Sequence, residues 1–162
     1  MLKKSNQKGF TIIEVLIVLA IAGLIMLIVF LAVPALQRNS RNTTARSEAS
    51  TVLGGVNEFL ANNNGKLPAV GVSATANSDA QKVWQNVKTQ QLTSISVEAE
   101  GGTTLPTSTN AIVALSAKCV SPSSTLNAAG RGAIVDPGSS REFAILYITE
   151  TGNGNQLSCT AG

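Results

Sequence analysis

The feature that most constrains this chain is an unbroken apolar run from Val15 to Leu36, which contains no charged side chain. A bilayer core needs about 20 apolar residues at a helical rise of about 1.5 Å each. A secretory signal peptide has a shorter apolar region of roughly 7 to 15 residues and a small-residue cleavage site after it. The segment Ala32-Val33-Pro34-Ala35 fits such a site poorly, because it lies late and contains a proline. We therefore expect a single membrane-spanning helix that anchors an exported domain.

Basic side chains on either side of the run indicate its orientation. Lys3, Lys4 and Lys8 precede it, and Arg38 and Arg41 follow it. Because an excess of Lys and Arg marks the cytoplasmic side of a span, this weak bias predicts a cytoplasmic N-terminus.

One carboxylate, that of Glu14, lies at the start of the apolar run. An ionised carboxylate inside hydrocarbon costs several kcal/mol, about 2.5 to 3.5 kcal/mol on insertion scales. Glu14 therefore needs a compensating cation, unless its side chain extends to the lipid headgroups.

The segment from Lys8 to Ile21, KGFTIIEVLIVLAI, closely resembles the class III signal of type IV pilins and pseudopilins. The resemblance covers about the first 30 residues and includes a basic leader, Gly9, Phe10 and Glu14. It implies that a membrane aspartyl peptidase, the prepilin peptidase, cleaves between Gly9 and Phe10 and methylates the new amine of Phe10. It also implies that the apolar run is retained, first as a membrane anchor and later in a filament core.

Cleavage would place a cationic amine on Phe10, one helical turn before Glu14. A filament neighbour displaced along the axis could bring its own Phe10 amine to the same carboxylate. A buried ion pair says little about net stability, but breaking one leaves an uncompensated charge, so it favours one register. We interpret Phe10 and Glu14 as assembly residues; the alternative is a Glu14 that only reaches the headgroups.

Apolar residues continue beyond the run at steps of three and four, which predicts an amphipathic continuation of the helix. They are Ala45, Ala49, Val52, Leu53, Val56 and Leu60. Asn62-Asn63-Asn64-Gly65 provides a stop signal. The predicted organisation is a leader 1–9, an apolar transmembrane and filament-core helix 10–36, an amphipathic continuation 37–64, and a globular head 65–162.

Gly23 and Pro34 lie inside the predicted helix, and Pro34 removes one backbone donor. They mark either a simple kink or a helix break, a weak point that unwinds when the subunit leaves lipid, as the resemblance implies for this region. Gly54-Gly55 marks either the close approach of a strand or a second flexible point.

The head is predicted to be α+β, with the long helix packed against an antiparallel sheet, as in the pilin fold. A short helix is expected from Ser78 to about Leu92, and turns at Pro137-Gly138 and Gly152-Asn153-Gly154. Strands are expected at 95–98, 110–120, 131–135, 141–149 and 156–160.

Cys119 and Cys159 are the two cysteines, and both lie in the part expected to be exported. An oxidising exterior favours a disulfide between them, closing a loop of about 40 residues worth roughly 4 kcal/mol in the chain-entropy model. We expect this bond to fasten the C-terminal region to a central strand, as the resemblance also implies. Two free buried thiols are the alternative.

The residues offer little for catalysis or for a cofactor. The chain has no His, which removes His-based triads and His-metal sites. Asp136 with Ser139, Ser140 and Glu142 is a faint calcium candidate, and a solvated turn fits these residues better. We therefore predict no enzyme, no catalytic residue, no metal and no cofactor.

The net charge of +3 does not indicate a nucleic-acid partner. Three of the twelve basic side chains lie in the leader, which leaves nine against nine acidic ones. Nucleic-acid binding depends on an excess of Lys and Arg, so the processed chain gives no bulk attraction.

The leading hypothesis is a major pilin that forms a homo-oligomeric helical filament, a type IV pilus serving adhesion, twitching motility or DNA uptake. Its implied partners are the prepilin peptidase, the inner-membrane assembly machinery and, before assembly, the bilayer; it would then be extracellular. Alternatives are a pseudopilin of a type II secretion system, a minor or competence pilin that captures DNA or a surface, and an unrelated single-span surface protein. In the family that the chain resembles, major pseudopilins bind calcium near the C-terminus and lack a disulfide there. The cysteine pair and the missing acidic cluster therefore argue against a pseudopilin.

Overall fold

The computed structural model describes residues 9–87, 89–99, 102–120, 123–125 and 135–162, with the backbone alone for 123–125. Its internal contacts divide the chain into two compact units, Met1–Gln37 and Arg38–Gly162. We describe each unit by itself.

One helix, α1, spans Ile12–Asn62 and contributes residues to both units. It runs without interruption through Gly23 and Pro34. It ends where the sequence predicts, because Asn64 and Gly65 adopt positive φ angles of 55° and 74°. The Gly65 amide donates to the Leu60 carbonyl at 2.8 Å, which satisfies one of the last helical acceptors.

The first unit contains the apolar part of α1, and its side chains are exposed around the whole circumference. By length and composition this part is apolar enough to cross a membrane. The large exposed apolar side chains extend from Phe10 to Leu36. A surface of this kind is not stable in water alone and requires lipid or protein against it.

The second unit contains the rest of α1, a short helix and eight described strands. Helix α2 is Asp79–Gln85. The strands are β1 (Gly71–Val72), β2 (Ser94–Glu98), β3 (Asn110–Leu115), β4 (Ala117–Cys119), β5 (Ser123–Thr125), β6 (Val135–Pro137), β7 (Phe143–Thr151) and β8 (Gly154–Ala161).

Within the described residues the larger sheet has the order β1-β2-β3-β7-β8-β5, and β4 pairs with β6 in a separate ribbon. The α+β fold of helix and sheet is confirmed, and most pairs are antiparallel. The pair β2–β3 differs from the expectation of a wholly antiparallel sheet, because it is parallel. In this pair Ser94 lies opposite Asn110 and Glu98 opposite Ala114, so the two strands run in the same direction.

One face of the larger sheet packs on the amphipathic half of α1. The predicted stripe is confirmed, because Ala49, Val52 and Val56 are fully buried. They lie in one apolar cluster with residues of α2 and of three strands. The strand residues in this cluster are Ile95, Val97, Ala111, Val113, Phe143, Ile145 and Tyr147.

The opposite face of the sheet is also buried, which the alternating pattern did not indicate. A second apolar cluster contains Ile112, Ala144, Leu146 and Leu157, with Val135 of the ribbon packed against it. The single strand expected over 110–120 is broken at Ser116, whose φ of 51° turns the chain from β3 into β4. The ribbon covers this face, so β3 and β7 are buried on both sides.

The disulfide joins Cys119 and Cys159, as predicted, with their Cα atoms 5.9 Å apart. Its place differs from the expectation, because Cys119 lies on β4 of the ribbon and not on a central strand of the main sheet. Cys159 lies on β8 of the main sheet. The bond therefore fastens the ribbon to the sheet that it covers.

Two further expectations for the head concern a strand and a turn. The strand expected over 131–135 falls mostly outside the described residues, and β6 begins at Val135. The hairpin turn at Gly152-Asn153 is confirmed, since β7 ends at Thr151 and β8 begins at Gly154.

The helix expected from Ser78 to about Leu92 ends at Gln85, which is earlier than predicted. Ser78 is the N-cap, and its hydroxyl accepts a bond from the Gln81 amide. Gln90, Gln91 and Leu92 are not helical, and their amides all donate to one carboxylate, that of Glu48. A continued helix would have used these donors internally.

Glu48 lies on α1 with only 4% of its surface exposed. Its Oε1 accepts from Gln90 at 2.5 Å and from Gln91 at 2.7 Å, and its Oε2 accepts from Leu92 at 2.8 Å. A buried charge is tolerated only when it is well hydrogen-bonded, and three backbone donors meet that need. The sequence alone did not single out Glu48, because its position beside the apolar stripe has the pattern of a solvent-facing residue.

Gly55 has a packing role that Gly54 does not share. A Cβ added at Gly55 would lie 2.6 Å from Val87 Cγ2 and 3.3 Å from the Val83 carbonyl oxygen. Nothing lies within 4 Å of a Cβ at Gly54. Gly55 therefore marks the close approach of α2 and of Val87, two residues beyond it, rather than of a strand.

We predict that Gly55→Ala destabilises the head by about 1 to 3 kcal/mol through overpacking. Gly54→Ala is the matched control and should raise stability by up to about 1 kcal/mol, since Ala is the better helix former. Denaturant unfolding of the full chain in detergent, followed by the fluorescence of Trp84, measures both. Equal effects of the two substitutions would contradict the close approach at Gly55.

We also predict that Glu48→Gln destabilises the head by about 1 to 3 kcal/mol, because the new amide group turns N–H donors toward backbone donors. Glu58→Gln, an exposed glutamate on the same helix, should change stability by less than about 0.5 kcal/mol. The same unfolding measurement compares them. A neutral Glu48→Gln would show that the carboxylate does not hold the segment 90–92.

Candidate assembly site at the N-terminus of the long helix

The first turn of α1 is closed by reciprocal bonds between Thr11 and Glu14. The amide and the hydroxyl of Thr11 donate to Glu14 Oε2 at 2.9 and 2.8 Å, and the Glu14 amide donates to Thr11 Oγ1 at 3.3 Å. This is a capping box, in which two backbone donors at a helix start are satisfied by side chains. It also fixes where the Glu14 carboxylate lies.

The capping bonds leave part of the Glu14 carboxylate available. Both bonds from Thr11 end on Oε2, and an ionised carboxylate offers about four acceptor positions. Oε1 can therefore accept from a cation without breaking the cap. The arrangement can hold a positive group at the start of the apolar helix.

Gly9 and Phe10 precede the first helical residue and are exposed, with Phe10 at 89%. The bond between them lies in non-helical chain, the form in which a peptidase can reach a backbone. The expected processing point therefore lies in accessible chain.

Phe10 and Glu14 line one shallow surface groove together with Val15, Ile17, Val18 and Leu19. The groove is almost wholly apolar apart from the carboxylate. It combines an apolar surface and one acid in the first two turns of the helix.

The other expected site residues lie elsewhere. Gly23 and Pro34 lie within α1 and do not end it, and the disulfide lies in the second unit. Whether Gly23 and Pro34 break the helix in an assembled form remains a prediction.

The calcium candidate has the geometry of a turn. Glu142 Oε2 accepts from the Ser139 amide at 2.5 Å, and this backbone bond is the main reason that the pKa of Glu142 lies below its usual value. Its carboxylate is thus committed to the turn. Over the described residues no three metal-binding side chains of His, Cys, Asp or Glu come together.

Sequence reasoning identified Gly9, Phe10 and Glu14 but assigned no role to Thr11. The signal for that role was present, because Thr followed three residues later by Glu, just before an apolar run, is the pattern of a capping box. The structure adds that the carboxylate serves this cap in the single subunit.

Comparison with known proteins gives one match. A family model described as the prokaryotic N-terminal methylation motif matches residues 4–30. Searches of curated proteins and of solved structures returned no match to this chain. The motif points to a structural protein rather than an enzyme, to processing by a prepilin peptidase, and to membrane anchoring before assembly. The chain carries the class III signal of type IV pilins, and this signal supports a type IV pilin-like or pseudopilin protein.

Proposed function

We propose that this chain is the major structural subunit of a type IV pilus, polymerised through its N-terminal helix after leader cleavage and N-methylation. The observation that carries the proposal is the combination of the methylation motif with an apolar helix whose side chains are exposed throughout the described part of its unit, residues 9–37. Subunits in a filament would replace the lipid that first covers this helix.

The energetic reason for assembly is the apolar surface from Phe10 to Leu36. Burying a large aliphatic side chain contributes about 1.5 to 3 kcal/mol relative to leaving it exposed in water. In lipid this surface is already covered, so transfer into a filament exchanges lipid contacts for helix contacts. Close packing and the pairing of Glu14 must then favour the filament.

Glu14 is proposed to set the register of the subunits. Its carboxylate is held by Thr11 and retains acceptor capacity on Oε1. The methylated amine of Phe10, from the same or a neighbouring subunit, is the complementary cation. A displaced register would leave a carboxylate unpaired in an apolar core, at a cost of several kcal/mol.

The proposed partners follow from this route. The prepilin peptidase cleaves after Gly9, and the inner-membrane assembly machinery extracts the subunit from the bilayer. The finished pilus is extracellular and could support adhesion, twitching motility or DNA uptake.

A pseudopilin of a type II secretion system is the second candidate, because pseudopilins share the N-terminal motif. The disulfide in the head and the commitment of Glu142 to its turn support the pilus instead. Electron microscopy of cells separates the two candidates. Long surface filaments would support the pilus subunit, and short periplasmic filaments would support the pseudopilin.

We predict that filaments sheared from cells that express this chain begin at N-methyl-Phe10. N-terminal sequencing with mass spectrometry of the released subunit measures this. An intact Met1, or a new N-terminus after residue 30, would exclude processing at Gly9.

We further predict that Glu14→Ala is processed normally but yields at least tenfold fewer filaments, since the register pair is lost. Glu58→Ala removes an exposed carboxylate from the second unit and should leave filament yield unchanged. Immunoblots report processing, and sheared fractions with electron microscopy report assembly. Normal piliation by the Glu14 variant would refute the register role.

A further inference from the structure

The segment 38–44 of α1 is helical although its sequence disfavours a helix. Five of its seven residues are Asn, Ser or Thr, which are weak helix formers. The hydroxyls of Thr43 and Thr44 donate to the carbonyls of Asn39 and Ser40, at 2.9 and 3.1 Å. Such bonds to the residue four positions earlier tend to bend and weaken a helix.

Apolar packing does not support this segment either. None of residues 38–44 is buried, and the apolar stripe of α1 begins only at Ala45, which packs against the core. A helical segment with weak propensity and no buried residue should fray. Some other interaction must hold it.

That interaction is made with Glu150, near the end of β7. The Asn42 amide group donates to the Glu150 carbonyl at 2.6 Å, and the Glu150 amide donates to Asn42 Oδ1 at 2.6 Å. Strand β3 pairs with β7 only over Phe143–Leu146. The Asn42 side chain thus satisfies the backbone of Glu150 beyond the point where β3 stops.

Arg41 adds a second attachment to the same residue. Its Nε and Nη2 donate to Glu150 Oε1 and Oε2 at 2.9 and 2.6 Å, a bidentate pair. These hydrogen bonds are the main reason that the pKa of Glu150 is lowered. Both side chains remain partly exposed, at 45% and 34%, and they border a small open cleft. Water can therefore enter, and the contact can open without opening the core.

We propose that residues 38–44 are an extensible segment of α1, held in helical form by a latch of Arg41 and Asn42 on Glu150. When the latch opens, the segment unwinds, and unwinding stops at Ala45 and Glu48, where burial begins. Seven residues that pass from helix to extended chain gain up to about 15 Å in length. The latch belongs to the single subunit and does not depend on assembly; in a filament, tension would act on it.

Hydrogen exchange of the full chain in detergent micelles tests the latch. In the wild type, amides of 38–44 should be protected from exchange, though less strongly than those of 49–60, because the latch opens without opening the core. Asn42→Ala and, separately, Glu150→Ala should speed exchange at 38–44 at least tenfold and leave 49–60 unchanged. Arg46→Ala, an exposed arginine on the same helix, is the control and should change neither segment.

The Asn42→Ala variant separates the latch from helix propensity, because the two predict opposite signs. Ala is the better helix former, so propensity alone would slow exchange at 38–44. Unchanged or slower exchange there in Asn42→Ala would overturn the proposal. An equal rise over 49–60 would also overturn it, since that means loss of the whole head rather than local unwinding.

A rescue experiment tests why the segment unwinds. Ser40→Ala and Thr43→Ala are both at exposed positions. Added to Asn42→Ala, they should slow exchange at 38–44 at least threefold relative to Asn42→Ala alone. Exchange that stays as fast as in Asn42→Ala would refute weak propensity as the cause. Because these measurements use unassembled subunits, their failure is distinct from a failure of filament formation.

Discussion

An apolar helical surface that no other described residue of its unit covers is the constraint on which the rest of this protein depends. From Phe10 to Leu36 the large apolar side chains are exposed. Exposing such a surface to water is unfavourable in free energy, so lipid or other protein must cover it. The methylation motif at residues 4–30 lies on this same segment and is consistent with membrane anchoring followed by assembly.

In the second unit, apolar packing holds the sheet against α1, and hydrogen bonds from side chains of α1 fix the position of particular backbone segments. The stripe of Ala49, Val52 and Val56 supplies burial, which is strong but non-directional. Glu48 adds direction, since three backbone amides converge on its carboxylate. The bonds of Asn42 to Glu150 act in the same way at the end of β7.

The Thr11–Glu14 cap relates local structure to the proposed assembly. A carboxylate that serves only as an ion-pair partner would be costly and mobile until a cation arrives. Bonding to Thr11 lowers that cost in the single subunit and places the carboxylate beside Phe10 in one groove. The same side chain thus stabilises the helix start in the single subunit and, in the proposed filament, would select the register.

The sequence by itself determined the helix, its end at the stop signal of residues 62–65, the motif with Gly9, Phe10 and Glu14, and the pairing of Cys119 with Cys159. These depend on local periodicity, on a few special residues, or on there being only two cysteines. The tertiary structure alone decided that β2 and β3 run parallel, that the ribbon β4–β6 buries the second face of the sheet, and that Glu48 and Asn42 hold distant backbone. Such contacts join residues up to 108 positions apart, and a one-dimensional pattern records which residues favour burial but not which partner will bury them.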